Sequence, residues 1–385
     1  MCIGHSYYNY RYMRVTIFRD YKEEEWESME VYTNHLINGL LFQKKFNIEV
    51  NEYLGLEALS AKFPKSRNKY LRYAFRYFVN PPGAFFHQGD INHITDQANA
   101  HLLTILNPRK TVITCHDLIV PHWQMGHLAD RNVKKRLKRI VELWRIHLLS
   151  KAARIIAVSD ATKDDIVHTL QIRPEKIIVI PEGVSPVFRR TTEKATLNQT
   201  QGRYKLPRRF ILHVGTNHEY KNIEGLLRMF AHVSSKDHNL YLVKAGQPWT
   251  MSQSLMIKQM HLAHKIIHCG FVPTNDLPAI YSLATALVQP SHTEGFGLTV
   301  LEAMACGCPV VLSRIPALIE IAGKAGIYIP MLPTGKDLGK ALAILLKSRA
   351  RTNYYRLGLT RSKFYSWDRA AQLTYKVYQE VCKEK

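Results

Sequence analysis

Short apolar, β-branched runs alternate with longer amphipathic stretches along most of the chain. In the first half, MRVTIF (13–18), TVITC (111–115), RIIAVS (154–159) and KIIVIP (176–181) read as strands, with helical periodicity over 131–151 and 160–170. The second half repeats the design with FILHVG (210–215), LYLVKAG (240–246), IIHCGF (266–271), ALVQP (286–290), PVVLS (309–313) and GIYIP (326–330), helices lying between. Strand-helix alternation of this kind builds parallel sheets, so the pattern predicts two α/β units of similar size. Residues 181–209 are polar, carry three prolines and two glycines, and read as a linker.

Within 131–154, Val133, Leu137, Ile140, Val141, Trp144 and Leu148 fall on one helical stripe and the cations mostly off it. Two readings fit: a surface helix with its stripe in the core, or a cationic helix lying on anionic lipid. Together with 62–76 this is the most basic part of the chain. Lys plus Arg number 53 against 31 Asp plus Glu, a formal charge of +22, which implies an anionic partner or surface without naming it. With 385 residues and 46% apolar content, the chain can bury large cores in two or three domains. Its six cysteines include no Cys-x-x-Cys, so a reducing cytosol is expected rather than a zinc or thiol-redox site. The N-terminus has no apolar signal core, and no run of about 18 apolar residues occurs anywhere, so neither export through a signal peptide nor a membrane span is expected.

The densest chemistry lies in SHTEGFGLTVLEAMACGCPVV (291–311), where Glu294 and Glu302 bracket a Gly-Phe-Gly turn. A buried-type strand, 286–290, ends in the loop to Glu294, and a helix starts at Leu298. The first N–H groups of that helix lack internal partners and carry the positive end of its dipole, which suits an anion or sugar hydroxyls. Gly295 and Gly297 let a ligand approach the backbone closely. With Glu302 two turns into the helix, the carboxylates lie roughly 10 Å apart, a span for gripping both ends of one ligand. Taken singly, Glu294 reads as a helix cap and Glu302 as a solvated surface residue; the joint pattern with the glycines favours the ligand.

At these residues the chain resembles the retaining glycosyltransferases of family 4 and their Glu-x7-Glu signature. HVGTNHEYKNIEGLL (213–227), TCHDLIVPH (114–122), AVSDATKDDI with KIIVIPEGV (157–183), SRIPALIEIAGKAGIYIP (313–330) and FYSWDRAAQLTYKVYQEV (364–381) extend the likeness over about 110–381. The resemblance implies a GT-B fold, an α/β architecture of two Rossmann-like domains whose parallel sheets face each other across a cleft. Residues 1–184 would form the acceptor-side domain, 185–363 the nucleotide-sugar domain and 364–385 a C-terminal helix packing back on the first. Before residue 110 the likeness weakens: the family's Gly-Gly turn has no counterpart in EEWESMEVYTNHL (24–36), and the residues before Met13 read as an extension or a misassigned start.

The implied activity is transfer of a hexose from a nucleotide sugar, GDP-mannose or UDP-hexose, to a glycan or lipid-linked acceptor, with retention and by front-face attack. Lys221 is the implied diphosphate cation, beside Gly215, Thr216 and Asn222; many relatives place Arg where Thr216 stands, so a second cation is unassigned. Glu294 would hold hydroxyls of the transferred sugar, with the backbone of Gly295, Phe296, Gly297 and Leu298 on sugar or phosphate, and Glu302 the ribose. His116, after a buried-type strand, is placed facing the transferred sugar. No Asp-x-Asp metal pair occurs, so neither metal nor cofactor is expected. A catalytically silent GT-B scaffold and a basic nucleic-acid-binding protein are the alternatives, although no nucleic-acid-binding signature is visible. The expected location is cytoplasmic, peripheral on the inner face of an anionic membrane through 62–76 and 131–154.

Overall fold

The apolar runs become twelve strands among the described residues of the computed structural model, which are 12–20, 27–43, 46–54, 75–118 and 133–384, with backbone alone at Glu27, Phe75 and 133–139. The residues before Tyr12, the start of the glycine-free segment (24–26), the basic residues 62–74 and the end of TCHDLIVPH (119–122) lie outside them. The chain divides into two compact units, residues to Pro181 with Trp367–Lys385, and Glu182–Ser366.

The first unit holds β1 (Met13–Phe18), β2 (Ile48–Tyr53), β3 (Ile91–Ile94), β4 (Thr111–Cys115), β5 (Arg154–Ala157) and β6 (Ile177–Val179). They pair in parallel in the order β2-β1-β3-β4-β5-β6. Sequence periodicity did not announce β2 or β3. β2 is an edge strand of alternating exposure, and β3 is only INHI, half polar, yet wholly buried. Its polar residues are bonded: Asn92 reaches Gln88 at 3.1 Å and His93 reaches Thr114 at 2.8 Å. Helices α1 (Glu27–Phe42), α2 (Asn80–Phe86), α3 (Val133–His147) and the C-terminal α8 (Trp367–Lys383) belong to this unit. α8 packs on α1, where a Cβ on Gly39 would stand 2.8 Å from the Ala371 Cβ; only glycine permits that approach.

The reading that puts the whole stripe in the core is corrected. Leu148 is buried as expected, but Ile140 and Trp144 are 54% and 47% exposed, whereas Arg145 and Ile146, off the stripe, are buried. The turn is rotated by Arg145, whose guanidinium donates to the Ala98 carbonyl at 3.1 Å and to Glu142. Here a buried hydrogen-bonded cation overrides the hydrophobic stripe.

In the second unit β7 (Phe210–Gly215), β8 (Tyr241–Gly246), β9 (Ile266–Gly270), β10 (Ala286–Gln289), β11 (Val310–Ser313) and β12 (Gly326–Ile329) form a parallel sheet in the order β12-β11-β10-β7-β8-β9. The linker reading fails: 182–209 belongs to this unit and contains helix α4 (Lys194–Arg203). Its polar sequence hid it, since only Thr200 is buried. Asp276 holds its end through Arg203 at 2.8 Å and Tyr204 at 2.6 Å. Helix α5 (Ile223–Ser234) buries Leu226, Leu227, Met229 and Phe230 against the sheet. α6 (Leu277–Leu283) and α7 (Leu298–Ala305) complete the frame of the site. Strand order reverses between β7 and β10, so the loops leaving these strands part at a topological switch point, the usual ligand crevice of such sheets.

Candidate functional site

The site is built from the carboxyl ends of β7, β8 and β10. β7 ends at Gly215 (φ +144°) beside Gly246 (φ +113°) of β8, where a Cβ would stand 2.3 Å from the Gly215 carbonyl oxygen. Glycine is required there for the two strand ends to touch. The loop after β7 passes through Thr216 and is tied down by the Asn217 N–H donating to Gln247 Oε1 at 2.8 Å. It then makes the tight turn Glu219–Lys221 before α5. Asn222, in the left-handed region at φ +54°, caps α5 by accepting the Gly225 N–H at 3.2 Å and donates to the Pro290 carbonyl at 3.1 Å. Its side chain is committed to holding the β10 loop against α5.

This lacing brings together residues 73 positions apart. Lys221 Nζ lies 2.9 and 2.8 Å from the two Glu294 oxygens. Glu294 also accepts from Gln289 Nε2 at 2.8 Å and Ser291 Oγ at 2.7 Å. Burial pushes its pKa up, but the Lys221 charge and these hydrogen bonds outweigh burial, and the net shift is downward. Glu294 is therefore an ionised, fully engaged carboxylate rather than a helix cap. α7 starts instead from Gly297 (φ +108°) with no side-chain cap, and a Cβ on Gly297 would crowd Leu318 at 3.0 Å. Phe296 anchors the turn, its buried ring edge-to-face on Tyr365 at 5.8 Å, so only its backbone is available to a ligand. Gly295 precedes it, and Leu298 opens the helix.

Glu302, one helical face further on, is no solvated surface acid. It keeps a partly exposed edge, but its carboxyl is ringed by protein, and this desolvation raises its pKa to about 8 against the hydrogen bond from the Tyr281 hydroxyl at 2.9 Å. Lys221 and Glu294 are in contact, then, while Glu302 meets Tyr281. His116 belongs to the first unit, buried, its Nε2 donating to the Thr95 carbonyl at 2.9 Å and its ring edge-on to Tyr32 at 4.7 Å. Because a carbonyl can only accept, Nε2 carries the proton of this hydrogen bond. Among the described residues no His, Cys, Asp or Glu cluster could hold a metal ion, and no helix is long and apolar enough to cross a membrane.

Sequence reasoning missed Gln289, Ser291 and Tyr281. A signal existed for Gln289, since a polar residue inside an otherwise apolar buried strand needs a partner. None existed for Tyr281, which reaches Glu302 from another helix.

The family model for Glycosyltransferase Family 4 matches residues 51–188, and that for Glycosyl transferases group 1 matches residues 197–356. The chain is 28% identical over 278 residues to the O-antigen chain mannosyltransferase B of Escherichia coli, covering 70% of each. It is also 28% identical over 278 residues to the serotype-specific mannosyltransferase WbdA of Escherichia coli, covering 69% of this chain but only 33% of that longer one. The structure of Anabaena HepE in complex with UDP and glucose superposes with a TM-score of 0.70 over 95% of this chain and 99% of the other at 15% identity, a likeness of fold. Two matched regions, spanning most of the sequence on either side of the unit boundary, agree with the paired parallel sheets: the chain belongs to the group 1 and family 4 glycosyltransferases and has the GT-B fold.

Proposed function

We propose that this glycosyltransferase moves a hexose from a nucleotide sugar to a glycan or lipid-linked acceptor with retention at the anomeric carbon, GDP-mannose being the favoured donor and UDP-hexose the rival. The observation that carries the reading is the Lys221–Glu294 pair at the switch point of the second sheet. A donor diphosphate draws Lys221 away from Glu294. The released carboxylate, still held by Gln289 and Ser291, accepts from hydroxyls of the transferred sugar. Charge rises on the departing diphosphate as the bond breaks, so Lys221 and the backbone N–H groups where α7 begins, which no side chain caps, stabilise the transition state more than the ground state. The departing phosphate takes the acceptor's proton, no metal is required, and Glu302 receives the ribose. His116 is the first unit's candidate for a hydroxyl of the transferred sugar. The E. coli mannosyltransferases support mannose as the transferred sugar, and HepE with UDP and glucose keeps the rival open.

A thermal-shift panel of nucleotide sugars tests this. A ligand at a hundred times its Kd stabilises the fold by about 2.7 kcal/mol, GDP-mannose is expected to give the largest shift, and no shift with any donor overturns the reading. NMR of the product then reads the anomeric outcome.

A membrane-borne acceptor is favoured by one feature of the first unit. Ile140 and Trp144, one turn apart on α3, are exposed, as are Phe78 and Phe86 at 78% and 81%. These apolar groups adjoin the two basic stretches in sequence, which suits anionic lipid, each cation near the surface contributing about 1 kcal/mol. Sedimentation with anionic vesicles at low salt, and release by Glu at Lys134, Lys135, Lys138 and Arg139, is the expected result. Equal binding to neutral vesicles would sink it.

A further inference from the structure

The second unit buries a lysine that the mechanism above does not use. Lys244 of β8 is 0% exposed. Its ammonium donates to the Gln247 carbonyl and lies 5.2 Å from the centre of the Trp249 ring. Among the described residues no carboxylate pairs with it. Burying an ammonium without a counter-ion opposes folding, and an apolar side chain of the same length would fill the space at lower cost. Burial pushes its pKa down to about 8, which leaves it mostly charged at neutral pH.

Its position ties it to the donor cluster. Lys244 stands opposite His213 in the β7–β8 register, and the charges of Lys244, Lys221 and Glu294 all bear on His213. His213 donates Nδ1–H to the Val288 carbonyl at 3.1 Å, and burial lowers its pKa to about 4, so the ring is neutral. Its Nε2 is buried with no hydrogen-bond partner, and a Cβ on Gly215 would stand 4.0 Å from that nitrogen. Gln247, whose carbonyl takes the Lys244 ammonium, holds the Asn217 N–H through its side chain. Lys244 is therefore tied through Gln247 to Asn217, in the loop that runs from Gly215 to Lys221.

The charges of this buried cluster then sum simply. Lys221 and Glu294 cancel each other, His213 is neutral, and the net positive charge belongs to Lys244. We infer that Lys244 supplies a second positive charge for the diphosphate of the donor. This rests on the donor reading of the Lys221–Glu294 site. Lys244 does not touch the ligand; it acts through its field, which low-dielectric surroundings screen weakly, and through its hold on Gln247. Thr216 needs no charge of its own if the neighbouring strand carries one.

The test is calorimetric binding of GDP, guanosine, UDP and uridine to the full chain and to Lys244→Met. The variant is expected to bind the diphosphate on the order of tenfold more weakly while the nucleoside affinity stays unchanged. Lys244→Gln keeps a donor for the Gln247 carbonyl without the charge, so it is expected to show the same selective loss, and it serves if the Met variant fails to fold. Equal loss of nucleoside and diphosphate would reduce Lys244 to a loop support and overturn the inference, as would no loss at all. A wild type that binds neither diphosphate would overturn the donor reading itself, an outcome distinguishable from a wild type that binds and variants that bind equally well.

Discussion

Both units carry polar side chains into their sheets, and the two sets are wired differently. In the first unit the Tyr32 hydroxyl meets Thr114 at 3.0 Å, Thr114 meets His93 at 2.8 Å, and His93 meets the Tyr378 hydroxyl at 2.6 Å. That chain joins α1, two strands and α8, and both nitrogens of His93 are used within the protein. In the second unit the chain runs from Gln289 and Ser291 through Glu294 to Lys221, a partly exposed cation at a strand-end loop. Beneath it, His213 Nε2, Gln289 Oε1 and Ser313 Oγ are buried without partners. A hydrogen-bond network closed on itself fastens helices to a sheet, whereas one that ends in a partly exposed cation at a strand-end loop leaves that cation able to meet a ligand. The two networks differ in where they end, and that difference is what the proposed donor site draws on.

The largest effect expected from this contrast is kinetic. Glu294→Ala should lower turnover by on the order of a thousandfold, a loss that remains under conditions where the variant is fully folded. Steady-state kinetics with a melting curve checks it, and a destabilised but normally active variant would reverse the comparison. On the other side, Tyr378→Phe leaves a buried nitrogen of His93 unpaired, at a cost of about 1–3 kcal/mol. The expected outcome is a melting temperature lowered by several degrees with nucleoside diphosphate affinity unchanged. Burial above all holds His93 neutral with a pKa near 3, so this loss should be the same at pH 6 and pH 8.

The smallest effect sharpens the binding side. With a pKa of about 8, Glu302 is largely protonated at neutral pH in the free protein, whereas ribose hydroxyls donate best to the ionised form. Nucleoside affinity should therefore rise with pH toward 8, by at most about tenfold per unit, and level off above it. Glu302→Gln should flatten that profile, and a wild-type profile flat from pH 6 to 9 would remove Glu302 from the ribose. The same raised pKa makes Glu302 favour the fold fully at pH values below the ordinary carboxylate range, a contribution lost as pH rises through 8.

Much of the site was legible because it is local. The spacing of Glu294 and Glu302, the glycines at 295 and 297, and the helix that starts at Leu298 all lie within one strand, turn and helix. The partners were not legible. Tyr281 reaches Glu302 from α6, and Lys244 lies in a run that reads simply as a strand. In the first unit, INHI was too short and too polar to read as the buried strand it forms, because its polarity is satisfied by Thr114 and Tyr378 at distant positions.

By itself the sequence determined two α/β units and the place of the signature, because apolar period and turn chemistry act over a few residues and are written in order along the chain. Tertiary structure alone decided that Lys221 faces Glu294, that α3 turns Trp144 outward, that the polar stretch 194–203 is a helix, and that Lys244 is buried behind the strand end at Gly246. Those outcomes depend on hydrogen bonds and charges between segments that meet only when the sheets assemble, and no local period encodes such a meeting.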